Sequence, residues 1–428
     1  MKQKKTTVAI VGLGYVGLPL AIRCCECGYN VVGFDLDSKK IESIKKGKIP
    51  FKEKFVEERK EFLGKITATD SPRRLKKADV VLICVPTPVD KQFYPNLEPL
   101  RSAVQTVIKN RKPSRLIIIE STINPGVCEE VIEPLFYGAG LKDGRDYFLA
   151  HCPERIDPGN KDWNLINIPR VVGSLSRKGL QRAVSFYNSI IDGEIHPMRS
   201  IREAEAVKVV ENSFRDINIA FVNELAKSFD QMNIDVKDVI EGAATKPFAF
   251  MPHFPGRGVG GHCIPVDPYY LIEQAKKEGF DHHLLRVARE VNNNMPSYTV
   301  ELLQDLLNEI KLPMKGIPIG VMGLSYKANI DDLRESPSLK IIKELEKKKA
   351  KIIKYDPFIL KMSNVSSTRE LLKKSKALIL VTDHSEFLEL DEAEFKKYGI
   401  KAVVDGMNCL NAGKIKRLGI KYHGIGRK

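Results

Sequence analysis

The chain has 428 residues, 43% hydrophobic and 29% charged, with 69 Lys+Arg against 54 Asp+Glu and a formal net charge of +15. That length holds two to four domains of roughly 100–200 residues and excludes a mini-protein that needs disulfide or metal staples. No stretch approaches the ~18 uninterrupted apolar residues of a membrane span. No secretory h-region follows Met1-Lys2-Gln3-Lys4-Lys5, so a cytoplasmic protein without a membrane partner is expected. The eight cysteines are then expected as reduced thiols, and no metal site is expected because Cys24, Cys25 and Cys27 lack a second CxxC or a His pair. The basic residues are scattered without interleaved aromatics, which argues against nucleic acid and for anionic small-molecule ligands.

In chain order, an apolar stretch at residues 8–11 runs into Gly12-Leu13-Gly14-Tyr15-Val16-Gly17, followed by a helical segment over 18–28 and a second strand over 30–34 ending at Asp35. A strand, GxGxxG, a helix and an acid about 20 positions on form a dinucleotide-binding βαβ unit. Gly12 permits the tight turn, Gly14 lets the backbone approach a pyrophosphate, and Gly17 lets helix and strand pack closely. Asp35 would accept hydrogen bonds from a ribose diol and repel a 2′-phosphate, which favours NAD over NADP.

Further strands are expected over 80–85, closing on Pro86-Thr87-Pro88, and over 116–119, closing on Glu120-Ser121-Thr122. This is a doubly wound parallel sheet, whose ligands sit beyond the carboxyl ends of the strands. Apolar residues then recur at helical spacing over 203–232 and 299–310, a helical connector suited to a homodimer interface. The last third repeats the opening: strands are expected over 317–324 and 350–355, the second ending at Asp356, and residues 372–382 echo 75–85. Gly323-Leu324-Ser325-Tyr326-Lys327 replaces the glycine fingerprint, so this copy should bind something other than a second NAD. The fold class expected is thus α/β, two Rossmann-like doubly wound parallel-sheet domains joined by a helical connector domain. The boundaries are 1–199, 200–310 and 311–428.

Two stretches could carry chemistry. Residues 254–268, Phe-Pro-Gly-Arg-Gly-Val-Gly-Gly-His-Cys-Ile-Pro-Val-Asp-Pro, gather glycines before Cys263. Two readings fit: backbone that bends sharply toward a ligand, or a turn with an incidental cysteine. Lys208 and Asn212 are one helical turn apart, with Arg215 following on the same side. This is a common surface pattern, and also an ammonium and an amide able to stabilise a developing oxyanion.

Residues 12–17, 120–126, Pro153-Glu154-Arg155-Ile156-Asp157-Pro158-Gly159, Lys208-x3-Asn212, 260–268 and 323–327 through Arg334-Glu335-Ser336 occur in order over nearly the whole chain. Together they resemble the UDP-glucose/GDP-mannose dehydrogenase family. Residues 243–248 and the run to Tyr270 are most similar to its UDP-N-acetylglucosamine 6-dehydrogenases. The resemblance implies oxidation of a sugar C6 hydroxyl to a carboxylate with two NAD. After the first hydride loss, a Cys263 thiolate would add to the aldehyde to give a thiohemiacetal, then a thioester that water hydrolyses. It further implies oxyanion stabilisation by Lys208 and Asn212, proton movement by Asp267, and placement or deprotonation of water by Thr122 and Glu154. Asp267 and Glu154 both remain open as the general base.

For NAD it implies Gly12, Gly14, Tyr15, Val16, Gly17, Asp35, Lys40, Val85, Thr87, Ser121, Thr122 and Arg334. For the UDP-sugar it implies Glu154, Arg155, Lys208, Asn212, Phe250, Phe254, Gly256, Arg257, Gly260 and Lys327. Arg257 departs from the small residue or proline of the similar sequences, and either a phosphate contact or a solvent-facing side chain fits it. Cys152 stands where serine is usual and lacks the glycine turn around Cys263. The alternatives are a UDP-N-acetylmannosamine or UDP-glucose 6-dehydrogenase, a single-oxidation hydroxyacid dehydrogenase, and a basic NAD-responsive nucleic-acid binder.

Overall fold

The computed structural model describes residues 6–51, 53–90, 94–156, 160, 162–261 and 263–428. Residues 1–5, residues 157–159 of the Pro153 motif, and His262 lie outside the described residues. The chain forms two compact units, Met1–Glu211 with Tyr269–Phe280, and Asn212–Pro268 with Asp281–Lys428. No helix among the described residues is long and apolar enough to cross a membrane.

The first unit holds eight strands: β1 (Thr7–Val11), β2 (Asn30–Phe34), β3 (Ile66–Thr69), β4 (Val80–Ile83), β5 (Arg115–Ile119), β6 (Tyr147–His151), β7 (Arg170–Ser174) and β8 (Ile195–Pro197). They lie in the order β3-β2-β1-β4-β5-β6-β7-β8. Along β1, Val8 and Ile10 enter one apolar cluster and Ala9 and Val11 another. The sheet is thus buried on both faces, which explains apolar runs without polar alternation. Helix Gly17–Glu26 begins at the last glycine of the fingerprint and buries Leu18, Leu20, Ala21, Ile22, Cys24 and Cys25, so the first two cysteines of that cluster are core residues.

The doubly wound parallel sheet carries one antiparallel pair. β7 runs antiparallel to β6, with Ala150 opposite Ser174 and His151 opposite Gly173. Because antiparallel register counts in opposite directions, the residues just past the end of β6 face the start of β7. Glu154 therefore meets Arg170.

The second unit holds β9 (Pro318–Met322), β10 (Lys351–Tyr355), β11 (Ala377–Leu380), β12 (Ala402–Asp405) and β13 (Lys421–Gly424), in the all-parallel order β10-β9-β11-β12-β13. Ile319, Val321, Ala377 and Ile379 pack with Val222, Ala226, Met295, Val300 and Leu303. Connector helix residues thus cover one face of this sheet. Helix Ile201–Met232 starts on a capping box: Ser200 N donates to Glu203 (3.0 Å) and Glu203 N donates to Ser200 Oγ (3.2 Å).

In this unit Asp356 is fully buried. It accepts from Leu324 N (2.6 Å) and Ser325 N (2.9 Å), and its Oδ2 lies 3.0 Å from His384 Nε2. Burial raises its pKa, but the His384 bond and the two amides outweigh burial and hold it at about 2. A depressed carboxylate stabilises the fold above the unfolded-chain value of about 3.9. We therefore expect Asp356→Asn to lower the Tm at neutral pH. The Tm gap to the parent should close as pH falls from about 4 toward about 2, which thermal melts across that range will check.

Candidate active site

At the carboxyl ends of β1 and β4, Gly12 has φ +94°, and a Cβ there would lie 2.7 Å from Cys84 O. A Cβ on Gly17 would lie 1.9 Å from Gly12 O, whereas one on Gly14 would meet nothing within 4 Å. The outer two glycines are thus demanded by the chain's own packing, and the middle one leaves open backbone of the kind a pyrophosphate approaches. Tyr15 is exposed, and its ring lies tilted against Phe51 with centroids 4.3 Å apart.

Asp35 Oδ2 accepts from Leu13 N (2.7 Å) and Lys40 Nζ (2.8 Å), and Oδ1 accepts from Asp37 N (2.9 Å). Burial raises the Asp35 carboxyl, but bonds from Lys40 and the Asp37 and Leu13 amides outweigh it, so its pKa lies below the ordinary value. A carboxylate has about four acceptor sites, and three are used, which leaves one for a ribose hydroxyl. These features fit NAD. The neighbouring turns are tied together: Thr87 Oγ1 donates to Thr122 O (2.6 Å) and Ser121 Oγ to Val85 O (2.7 Å).

Beyond β6 stands a group that sequence reading missed. Arg170, fully buried, reaches Glu120 (3.4 Å) and Glu154 (3.1 Å), and Tyr187 donates to Glu120. Glu154 Oε1 accepts from the amides of Arg155 (2.6 Å) and Ile156 (2.7 Å). Arg155 itself pairs with Glu211 at 2.5 Å. Burial raises the Glu120 pKa against the opposing Arg170 charge. It also pushes the Cys152 thiol well above its ordinary range, so that cysteine is a poor rival nucleophile. The available signal was a lone arginine heading the apolar strand β7.

On helix Ile201–Met232, Lys208 and Asn212 are both buried. Asn212 Nδ2 donates to Asp267, which opens helix Asp267–Lys277. Cys263 is half-buried, and its carbonyl accepts from Val266 N (3.0 Å) and Asp267 N (2.8 Å). In the first unit, Tyr270, three residues beyond Asp267, donates to the Thr87 carbonyl, and Asn124 donates to Gln274 at 2.8 Å.

Within the second unit Arg257 does not face solvent. It is buried, and its guanidinium donates to Tyr326 O at 2.8 Å. Burial lowers its pKa to about 10, opposed by Asp383 and Cys409. Gly256 N donates to Asn223 (2.9 Å). Gly260 abuts Tyr326, Lys327 is half-buried, Phe250 is half-buried against the core and Phe254 is exposed. Arg334 also lies in this unit and pairs with Asp332 at 2.6 Å. No cluster of three His, Cys, Asp or Glu that could hold a metal occurs among the described residues.

A glycine fingerprint with its acid at the carboxyl ends of parallel strands defines an NAD-binding oxidoreductase fold. Sequence models of one family match three segments. They are the NAD binding domain of the UDP-glucose/GDP-mannose dehydrogenase family over residues 6–191, its central domain over 202–294 and its UDP binding domain over 320–412. The chain belongs to that family. It is similar to the UDP-N-acetyl-D-mannosamine dehydrogenase of Pyrococcus horikoshii, 38% identical over 98% of this chain and 99% of that one. It is also similar to the UDP-N-acetyl-D-glucosamine 6-dehydrogenase of Pseudomonas aeruginosa, 36% identical over 92% and 94%. The solved structure of the P. horikoshii UDP-N-acetyl-D-mannosamine dehydrogenase aligns with TM-score 0.93 and 36% identity over 99% of both chains.

The role of Asp35 is open to direct measurement. Charge-assisted hydrogen bonds contribute about 1.5–3 kcal/mol, so Asp35→Asn should weaken NAD binding about tenfold or more and reduce discrimination against NADP. Fluorescence titration with NADH and NADPH will read both.

Proposed function

We propose that this enzyme oxidises the C6 hydroxyl of a UDP-N-acetylhexosamine to the uronic acid in two steps on one active cysteine. The observation that carries this reading is the Cys263 turn. A glycine-bent segment leads to a half-buried thiol whose own carbonyl is tied to Asp267, and Asp267 is held by Asn212. A simple alcohol oxidation has no use for such a thiol. Oxidation beyond the aldehyde requires a tetrahedral adduct from which a second hydride can leave.

NAD, when bound, is the hydride acceptor, and Gly12, Gly14, Gly17, Asp35, Lys40 and the Val85, Thr87, Ser121 and Thr122 turns are the residues to hold it. In the first step the C6 hydroxyl gives up a proton and C6 a hydride. The Cys263 thiolate then bonds to the aldehyde carbon. Loss of a second hydride leaves a thioester, and water adds to its carbonyl and releases the thiolate. The balance is one alcohol, two NAD and one water giving one carboxylate, two NADH and three protons. Lys208 and Asn212 donate to the developing oxyanions. Thr122 and Glu154 orient the water. Asp267 and Glu154 are the two candidate groups for proton transfer, Asp267 held by Asn212 and Glu154 by two amides and Arg170. Lys327 and the loop over 250–260 receive the UDP-sugar.

Two names among the similar proteins differ only in the C2 epimer. Relatives in P. horikoshii and several Methanococcus species carry the manno name, which supports UDP-N-acetylmannosamine ahead of UDP-N-acetylglucosamine. The decisive experiment uses excess NAD and limiting UDP-ManNAc, UDP-GlcNAc, UDP-GalNAc or UDP-glucose, counting NADH per sugar consumed. We expect two NADH from an N-acetylated sugar and little from UDP-glucose. Cys263→Ser should abolish net turnover. One NADH per sugar, or indifference to that substitution, would return the single-oxidation alternative.

The same helix supports a homodimer. Val210, Phe214 and Phe221 lie on one stripe of helix Ile201–Met232 and are 53%, 48% and 52% exposed. Apolar side chains at this spacing suit a helix packed against a second copy. Light scattering should give twice the mass of the chain, and Phe214→Glu should shift it toward the monomer.

A further inference from the structure

In the second unit the loop that leads to Cys263 is fastened at four points, two on Tyr326 of the turn that carries Lys327, one on Gly406 just past β12 and one on Arg334. Arg257 N donates to Gly406 O at 3.0 Å, and its Nη2 donates to Tyr326 O at 2.8 Å. Gly261 N donates to Arg334 O at 3.0 Å. The fourth fastening is steric: a Cβ on Gly260 would stand 2.7 Å from Tyr326 Cβ, and one on Gly261 would stand 2.8 Å from the Tyr326 ring. These two glycines are therefore required by Tyr326 itself. Behind the loop, Asn223 holds Gly256 N at 2.9 Å and is in turn bonded to Asn292 at 2.9 Å. The loop thus has a fixed back and a front set by the 323–327 turn. Arg257 is buried with an Nε that has no partner, an arrangement costly for a surface contact and reasonable for a cation that holds two backbone segments together.

We propose that Arg257 and the Tyr326 ring couple the nucleotide to the thiol: UDP at the Lys327 turn fixes the Tyr326 peptide, and the clamp transmits that placement to Cys263. Arg257 is on this account a positioning residue, distinct from a phosphate ligand. The inference rests on the proposed function, in that Lys327 receives the nucleotide half of the substrate. Its consequence is that the thiol is correctly placed only when the UDP half is bound, so that an aldehyde without a nucleotide is a poor partner for Cys263.

The test uses full-length protein, UDP alone as the probe, and the iodoacetamide alkylation rate of Cys263 read by peptide-resolved mass spectrometry, with Cys27 as internal reference. In the parent, UDP should change the Cys263 rate about threefold or more, and Arg257→Met should bring that ratio close to one while the UDP Kd from calorimetry stays within about threefold. With the sugar substrate, Arg257→Met should lower kcat about tenfold with a smaller change in KM, since misplacement of a reacting group acts on the chemical step. Tyr326→Leu removes the ring contact while leaving the carbonyl, and should reduce the ratio in the same direction. It keeps the proposal testable should Arg257→Met fail to fold. A parent rate indifferent to UDP, or a full UDP effect retained in the variants, overturns the coupling. So does loss of UDP affinity about tenfold or more with the ratio intact, which would make Arg257 a direct phosphate ligand. Failure of the thioester reading is seen separately, as one NADH per sugar in the parent.

Discussion

Both α/β units depend on one interaction, a carboxylate at the end of the second strand of a βαβ unit that accepts the amide just beyond the first glycine. In the first unit Asp35 takes Leu13 N, and in the second Asp356 takes Leu324 N. The bond fixes the glycine turn relative to the sheet and so decides what can approach it. Its surroundings then set the two turns to different uses. Asp35 pairs with the side-chain cation of Lys40 and keeps an acceptor site at the rim. Asp356 is sealed by His384, with Ser325 Oγ 3.1 Å from the same ring nitrogen, and has nothing left for a diol. The helices differ as well. Gly17 starts a helix directly, whereas the second turn runs on to Pro337 before a helix begins, and Lys327 is carried on that excursion.

A second constraint is the burial of charge beside Glu154. Arg170 has no solvent contact and stands between two carboxylates. Such an arrangement survives only when every member has partners, because the desolvation cost of each ion is several kcal/mol. Tyr187 on one side and the amides of Arg155 and Ile156 on the other supply them. The orientation of Glu154 is therefore a property of β5, β6, β7 and helix Arg177–Asn188 together, and the antiparallel placement of β7 is what makes it possible.

Much of this was legible in the residue order. The strand over 30–34 and the need for glycine at positions 12 and 17 follow from local geometry, since a positive φ at Gly12 and the contact at Gly17 permit few alternatives; the bond from Leu13 N to Asp35 was not legible. The direction of β7 was not legible, because a five-residue apolar strand reads the same in either direction and its register is set by partners far away in sequence. The Glu120–Arg170–Tyr187 group was hidden for the same reason: its members are separated by 50 and 67 positions. Arg257 could be singled out as unusual but not interpreted, since a buried guanidinium and a solvated one have the same neighbours in the chain. Its inward direction follows from Tyr326, 69 positions on.

Helix Ile201–Met232 carries more buried polar contacts than its composition suggests. Near its start Glu205, fully buried, accepts from Gly126 N and Cys128 N at 2.5 and 2.8 Å, so the helix is keyed to the turn that follows Ser121 and Thr122. One turn on come Lys208 and then Asn212, and farther along Asn223 supports Gly256 in the loop that leads to Cys263. Asn212 and Asn223 both act within the second unit, and at about 1.5 Å per residue they stand about 16 Å apart along the helix. A single residue inserted between them would turn one by about 100° relative to the other. Asn212 could then keep Asp267 only if Asn223 left Gly256. The spacing of these two asparagines is thus a constraint on the Cys263 loop in its own right.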